Sequence, residues 1–344
     1  MNVLVTGATG FVGSHVARQL VEAGHSVRVL ARAGSNPIAI ADLSVERCEG
    51  DLRDILSLGR ALKGVRRVFH VAADYRLWSR NPDEIYQSNV EGTRSLFEAA
   101  RQNGVERIVY TSTVATIAVP SSDGSLSNEQ THAALDQMVG HYKRSKFLAE
   151  MEAIKAAADG LPIVIVNPTT PVGPGDWKPT PTGRIIVDFL NGKMPAYVDT
   201  GLNVAAVEDI AAGHLLAAEK GRVGERYLLG ARNMTLKEIL ETLAAIANRP
   251  APRVRLPHAL AIAAAHASEF YARFTGREPQ IPLEGAKMSR YRMFIASDKA
   301  ARELGYAPGA VEPAFERAVR WYQEHGYVGS RERGARPNAR AQAA

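Results

Sequence analysis

Asn2-Val3-Leu4-Val5-Thr6-Gly7-Ala8-Thr9-Gly10-Phe11-Val12-Gly13 opens the chain directly after its first methionine. Val3-Leu4-Val5 is continuously apolar rather than alternating, the signature of a strand buried on both faces. A helical pattern, Phe11–Ala23, follows at once. Strand, glycine turn and helix in direct succession predict the first half of a βαβ unit. The turn reads Gly-x-x-Gly-x-x-Gly. Gly7 suits a tight turn, Gly10 a close backbone approach, and Gly13 close contact between helix and strand. The amino end of the helix would then face a phosphate. Gly7, Thr9, Gly10, Phe11, Val12 and Gly13 are therefore expected to cradle a dinucleotide pyrophosphate. A plain flexible turn is the alternative, disfavoured by its place between the first strand and the first helix.

The alternation continues outward from this unit. Strands are expected at 26–31, 45–49, 67–71, 107–111 and 162–166, and helices at 55–62, 82–103 and 140–158. This pattern predicts an α/β fold of Rossmann type, a doubly wound parallel sheet with helices on both faces. After Asn167 a proline- and glycine-rich segment, 168–181, leaves the sheet. Helices near 184–191, 207–220, 235–248 and 312–325, with short strands at 196–198, 204–207 and 226–229, suggest a smaller mixed domain. It would cap the carboxyl edge of the sheet, where open α/β folds bind ligands. Residues 1–170 are expected to form the dinucleotide-binding domain, to which later segments can return. Residues 171–329 would mainly bind substrate.

The chain has 344 residues, 46% hydrophobic and 23% charged, which excludes a disordered or collagen-like body. Of the net charge of +6, +3 lies in the basic tail at 330–344, whose composition suits disorder. The remainder is too small for a nucleic-acid surface. A single cysteine, Cys48, forms no intramolecular disulfide and fits a reducing cytoplasm. No signal peptide is expected. The uncharged stretch Leu256–Ser268 is too short to span a bilayer of about 30 Å and reads as a packed or surface-lying helix. No metal-ligand spacing is present.

Strand two ends in Leu30-Ala31-Arg32, and the first acidic residue beyond it is Asp42. An acidic residue there would hold a ribose 2′-OH, whereas an arginine accommodates a 2′-phosphate. Arg32 therefore favours NADP, with NAD still possible. Asp51 and Leu52 follow strand three, where Asp51 would accept from an adenine amine or cap a helix.

His141-Tyr142-Lys143-Arg144-Ser145-Lys146 sets Tyr142 and Lys146 four residues apart, on one helix face. A tyrosine hydroxyl titrates near 10, and a nearby ammonium favours its ionised form. Tyr142 could then exchange the proton that accompanies hydride transfer. Tyr110-Thr111-Ser112-Thr113 ends strand five, and Thr113 or Ser112 would hold the substrate oxygen. His70 reads as a packed strand-end histidine.

These residues carry a resemblance. The glycine turn, Asp51-Leu52, His70-Val71-Ala72-Ala73, Asn89-Val90-Glu91-Gly92-Thr93, the hydroxyl cluster, Tyr142 with Lys146, and Asn167-Pro168 resemble the extended short-chain dehydrogenases/reductases. The branch is that of the epimerases/dehydratases and dihydroflavonol reductases. The stretches HVAADYRLWSRNPDEIYQSNVEGT and HYKRSKFLAE are similar to bacterial proteins of the hopanoid-associated sugar epimerase group. The resemblance implies Thr113 as the catalytic hydroxyl, ahead of Ser112, and Tyr142 as the proton donor or acceptor. It also implies that Lys146 holds the nicotinamide ribose, that Ala72 and Ala73 line the cofactor, and that Pro168, Thr169 and Thr170 border the nicotinamide. A homodimer packed through 82–103 and 140–158 is a further implication. Two features depart from the family: Asn167 stands where many members have arginine, and Arg32 replaces the acidic residue of NAD-using sugar epimerases.

Tyr75, Trp78 and Arg184 are candidate substrate contacts. The expected activity is that of a cytoplasmic NADP(H)-dependent oxidoreductase acting on a carbonyl or hydroxyl of a small molecule. A sugar or nucleotide-sugar epimerase with bound NAD(P), and a nucleotide-sensing protein without chemistry, are the alternatives.

Overall fold

The computed structural model describes residues 1–117, 125–275 and 278–329; the basic tail at 330–344 lies outside them. The amino-terminal half alternates strand and helix. It runs β1 (Asn2–Thr6), α1 (Phe11–Glu22), β2 (Ser26–Ala31), β3 (Glu46–Glu49), α2 (Ile55–Leu62) and β4 (Arg67–His70). Helix α3 (Asp83–Tyr86) passes through a π-type stretch, Gln87–Glu91, into α4 (Gly92–Gln102). Then come β5 (Arg107–Thr111), α5 (Gly140–Ala158) and β6 (Ile163–Pro168).

Residue alternation in the strands explains the layers. Val3 and Val5 of β1, Val109 of β5 and Val164 and Val166 of β6 point to one face, where Val16, Ala17 and Leu20 of α1 cover them. Leu4, Ile108, Tyr110, Ile163 and Ile165 point to the other, under Leu58 and Leu62 of α2, Leu96 and Phe97 of α4, and Ala149 and Ala153 of α5. Both faces are buried, so the strands read as continuous apolar runs.

Beyond β6 the chain forms β7 (Thr170–Val172), α6 (Pro181–Leu190), β8 (Ala196–Val198), β9 (Gly201–Ala206), α7 (Val207–Lys220) and β10 (Arg226–Leu229). It continues with β11 (Arg232–Thr235), α8 (Leu236–Ala247), β12 (Val254–Leu256), α9 (His258–Thr275) and α10 (Leu283–Met288). It ends with β13 (Arg292–Met293), α11 (Asp298–Leu304) and α12 (Glu312–Glu324). The main sheet is parallel throughout, in the order β10-β6-β5-β4-β1-β2-β3.

One strand changes place relative to the sequence reading. The segment 226–229, grouped there with the smaller domain, is the seventh strand of the main sheet, paired with β6 from Arg226↔Ile165 to Leu229↔Pro168. Its preceding helix, α7, contributes Ile210, Ala211 and Ala217 to the same core as α1. A second core, centred on Phe189, Leu240, Leu243, Phe315 and Tyr322, joins α6, α8 and α12 over β7 and β9.

Strand order reverses between β1 and its two neighbours, β2 and β4, and open α/β folds bind ligands at the carboxyl ends of such strands.

Candidate functional site

Gly7 begins the turn after β1 at φ +75, and a side chain there would put its Cβ 2.6 Å from the Ala72 nitrogen. A Cβ on Gly13 would lie 2.2 Å from the Gly7 carbonyl oxygen. Both positions need glycine, one for backbone conformation and contact, the other for contact alone. Gly10 donates to the Gly7 carbonyl at 2.9 Å and starts α1, with no side chain capping the helix. The first N–H groups of α1 are thus left to an external acceptor. Gly10 is exposed, and Thr9, Phe11 and Val12 are half-buried. This turn fits a dinucleotide pyrophosphate: uncapped donors meet a backbone edge free of side chains.

Around the turn, Ala72 donates its N–H to Thr6 Oγ1 at 3.2 Å, and Ala73 beside it is exposed. Arg32 is exposed at the end of β2 and forms no ion pair among the described residues. It lies close enough to Asp51 to help hold that carboxyl below its usual range, though the main cause is Arg53. Arg53 pairs bidentately with Asp51, at 2.9 Å to each oxygen. The cap of α2 is Asp54, which accepts from Leu56 N at 3.0 Å, so Asp51 is not that cap. Leu52 packs against Gly92, where an added Cβ would lie 2.9 Å from it.

At the ends of β5 and β6, Lys146 is buried. Its Nζ donates to the Thr111 carbonyl at 2.8 Å and to the Tyr110 hydroxyl at 3.2 Å. Burial pushes the Lys146 ammonium down to about 8. Tyr142, one turn earlier, is half-buried, and burial raises its phenol above the ordinary range, opposed by a hydrogen bond with Thr113. Thr113 Oγ1 also accepts from Ala115 N at 3.2 Å. Thr113, Tyr142 and Lys146 therefore gather at one place. Ser112 Oγ is buried and has no hydrogen-bond partner among the described residues.

His70 is enclosed, with Nδ1 2.8 Å from Thr6 Oγ1 and Nε2 3.0 Å from Thr93 Oγ1. Burial, and then the Lys146 charge, pull its imidazolium down to about 3, so the ring is neutral and structural.

Thr169 donates its N–H and its hydroxyl to the Leu229 carbonyl, both at 3.1 Å. Pro168 and Thr169 are buried, Thr170 half-buried, and Thr170 pairs with Val204. Tyr75 is exposed, its hydroxyl 3.5 Å from the Lys178 carbonyl. Burial, with Asp176 second, pushes that hydroxyl up to about 12. Arg184 is exposed and pairs with Glu278 at 3.1 Å. Trp78 lies instead on a cleft of about 610 Å³ with Gly140, His141, Arg144, Glu269 and Arg273. Tyr75 feels the charges of Arg184 and Glu278, and Trp78 also borders a smaller cleft with Arg76 and that same Glu278.

Asn89 belongs to the Asn89-Val90-Glu91-Gly92-Thr93 motif read in the sequence, whereas Glu150 and Glu284 were not singled out there. Asn89 accepts from Asp74 N at 2.7 Å and donates to the Asp74 carbonyl and Ser145 Oγ, both at 2.9 Å. The π-type turn at Gln87–Glu91 carries it. Glu150, buried on α5, accepts from Thr116 Oγ1 at 2.9 Å and Asn167 Nδ2 at 2.8 Å, and pairs with Arg226 at 3.2 Å. A lone acid in a helical pattern gives no local sign of such partners. Glu284, from α10, accepts from His141 N at 2.6 Å; burial pushes its carboxyl up to about 7.

The NAD dependent epimerase/dehydratase family model matches residues 3–230. The chain is 45% identical over 328 residues to a Synechocystis protein named "Putative dihydroflavonol 4-reductase", covering 94% of this chain and 95% of the relative. It is 36% identical over 330 residues to "Sterol demethylase protein B" of Methylococcus capsulatus, covering 95% and 100%. Among solved structures, a nucleoside-diphosphate-sugar epimerase from Pseudomonas aeruginosa superposes with a TM-score of 0.79 at 29% identity, covering 96% of this chain and 99% of that one. With a matched model over most of its length, and the glycine turn and Thr113–Tyr142–Lys146 grouping in place, the chain belongs to the NAD dependent epimerase/dehydratase family and is an enzyme of that family.

Proposed function

We propose that this protein is an NADP(H)-dependent oxidoreductase that interconverts a carbonyl and a hydroxyl on a small molecule. The observation that carries the reading is the meeting of Thr113, Tyr142 and Lys146 at the sheet edge facing the uncapped amino end of α1. The Synechocystis relative's reductase name supports it.

A bound nicotinamide would supply or accept the hydride. Gly7, Gly10, Gly13 and the first N–H groups of α1 would hold the pyrophosphate, and Arg32 the 2′-phosphate. Ala72, Ala73, Pro168, Thr169 and Thr170 would border the cofactor. Tyr142 would give its hydroxyl proton to the substrate oxygen during reduction and take one during oxidation. Because burial raises the phenol, Tyr142 is protonated at neutral pH, the state a donor needs. Thr113 would hold the same substrate oxygen, and Lys146, tied to the Thr111 carbonyl, would place its charge and donors at the ribose. Tyr75 and Arg184 would contact the substrate. We also propose a cytoplasmic enzyme and a homodimer formed through α3, α4 and α5.

A second reading, a sugar or nucleotide-sugar epimerase, is favoured by the likeness to the Pseudomonas epimerase. Native mass spectrometry followed by NADPH and NADH titrations with carbonyl substrates separates the two. Loose NADPH with substrate-dependent oxidation is expected. Tightly retained cofactor with no net oxidation would replace this reading by the epimerase. Tyr142→Phe is expected to lower turnover by about 10²–10⁴-fold and leave cofactor affinity intact. Full activity in that variant would overturn the mechanism.

A further inference from the structure

Helix α9 packs the wrong way round for an ordinary surface helix. Its two buried residues, Ala265 and Ala272, are small and seven apart, on the face turned inward. Its large apolar residues face out: Leu260 is 58% exposed, Phe270 64%, Tyr271 65% and Phe274 77%. With the exposed Ala263, Ala264 and Ala267 between them, these residues recur every three or four positions and form one stripe along the helix. Within the stripe the Phe270 and Phe274 ring centroids lie 4.8 Å apart, edge to face. Ile281, 43% exposed, extends it; its N–H is anchored to Ser268 Oγ at 3.1 Å. Water gains nothing from such a surface, and patches of this kind mark a contact.

Charge says what the contact is. Residues 249–293 hold eight Lys and Arg against three Glu, a local excess of +5 in a chain whose total is +6. Arg253, Arg273, Lys287 and Arg290 are exposed and form no ion pair among the described residues. Arg253 stands just before β12, which leads into α9; Arg273 is on α9 itself, and Lys287 is on α10, which packs against it. A two-fold contact between copies of this chain through α9 would set these cations against their own images. An anionic surface with an apolar interior answers both properties at once.

We propose that α9 is a docking element for the surface of an anionic lipid bilayer, with Leu260, Phe270, Tyr271 and Phe274 in the acyl boundary and the surrounding cations at the headgroups. No described helix is long and apolar enough to cross a membrane, so the contact is with the interface. Glu269 and Arg273 also line the 610 Å³ cleft that holds His141 and Arg144, and docking sets that cleft beside the lipid.

The full-length protein is mixed with vesicles of phosphatidylcholine alone, or of phosphatidylcholine with phosphatidylglycerol, and co-sedimentation is measured. Binding to the anionic vesicles only is expected. F270S/F274S is expected to lower that binding by at least about ten-fold with its thermal melting unchanged. R273Q/K287Q/R290Q is expected to lower it by more than about ten-fold while leaving the apolar stripe intact. Absence of wild-type binding to anionic vesicles, or equal binding by all three proteins, overturns the proposal. A self-associated species in sedimentation velocity that F270S/F274S dissolves, without vesicle binding, would assign the face to a second copy.

Discussion

The Glu284 carboxylate accepts a hydrogen bond from the backbone N–H of His141 at 2.6 Å, across 143 residues of chain. The contact closes the amino end of α5, whose own N-cap residue, Val139, has no side-chain acceptor. Gly140 sits at φ +83, and a Cβ there would fall 2.0 Å from the same carboxylate. The helix that carries Tyr142 and Lys146 is thus seated on α10 by a distant acid.

Removing that acceptor costs about 0.5–2 kcal/mol of capping. Glu284→Ala is expected to reduce kcat several-fold with cofactor affinity unchanged, and Glu284→Gln, which keeps an acceptor oxygen, to recover most of it. Steady-state kinetics with parallel cofactor titration decides. An unchanged kcat in the alanine variant would show that the cap does not position Tyr142.

Lys146 couples activity to pH with a definite sign. Its folded-state ammonium titrates at about 8, below the ordinary 10.5. If its charge is needed, kcat falls as pH rises through about 8, and Lys146→Arg, which stays charged, moves that limb upward. Stability moves the other way. Between about 8 and 10.5 the unfolded chain holds more protons than the folded one, so stability rises with pH there. A pH–rate profile flat across this range in the wild type would remove Lys146 from the proposed chemistry.

Arg32 decides between cofactors. Charge-assisted hydrogen bonds contribute about 1.5–3 kcal/mol. Arg32→Ala is accordingly expected to weaken NADPH binding by about ten- to a hundred-fold and leave NADH binding nearly unchanged, read by fluorescence titration. Equal weakening of both would remove the 2′-phosphate assignment.

Two buried histidines make the fold sensitive to acid. His70 is held at about 3 and His214 at about 4, both mainly by burial. His214 Nδ1 faces the Ile210 carbonyl at 2.8 Å, so it carries the proton, and Nε2 accepts from Thr111 Oγ1 at 3.0 Å. Both folded values lie below the ordinary 6.5, so the unfolded chain takes up protons first as pH falls. Stability is full above about 6.5 and is lost towards 4, by about 1.4 kcal/mol per pH unit for each group. Urea titrations at stepped pH should show this slope, and His214→Gln should remove about half of it. A slope unaffected by that change would mean that His214 is not neutral in the folded state.

The local readings that held were those in which neighbouring residues carry the whole constraint. Gly13 answers to the Gly7 carbonyl within one turn, while Gly7 also answers to Ala72, a contact that only the fold creates. Helical spacing alone puts Tyr142 and Lys146 on one face of α5, and runs of apolar residues mark strands such as β1, β5 and β6. The helix expected over 235–248 is present as α8, and its Thr235–Glu238 capping box is likewise local to four residues. What needed the tertiary structure was every pairing across distance. β10 joins β6 through backbone bonds that no side chain announces. Glu150 meets Asn167 and Arg226, and Glu284 meets His141, because a hydrogen bond depends on where the chain returns, not on sequence spacing. Even α9 illustrates the division. Its sequence marked an uncharged apolar segment at 256–268; the structure carries the helix on to Thr275, and whether Ala265 or Phe274 faced the protein was decided by the elements packed against it.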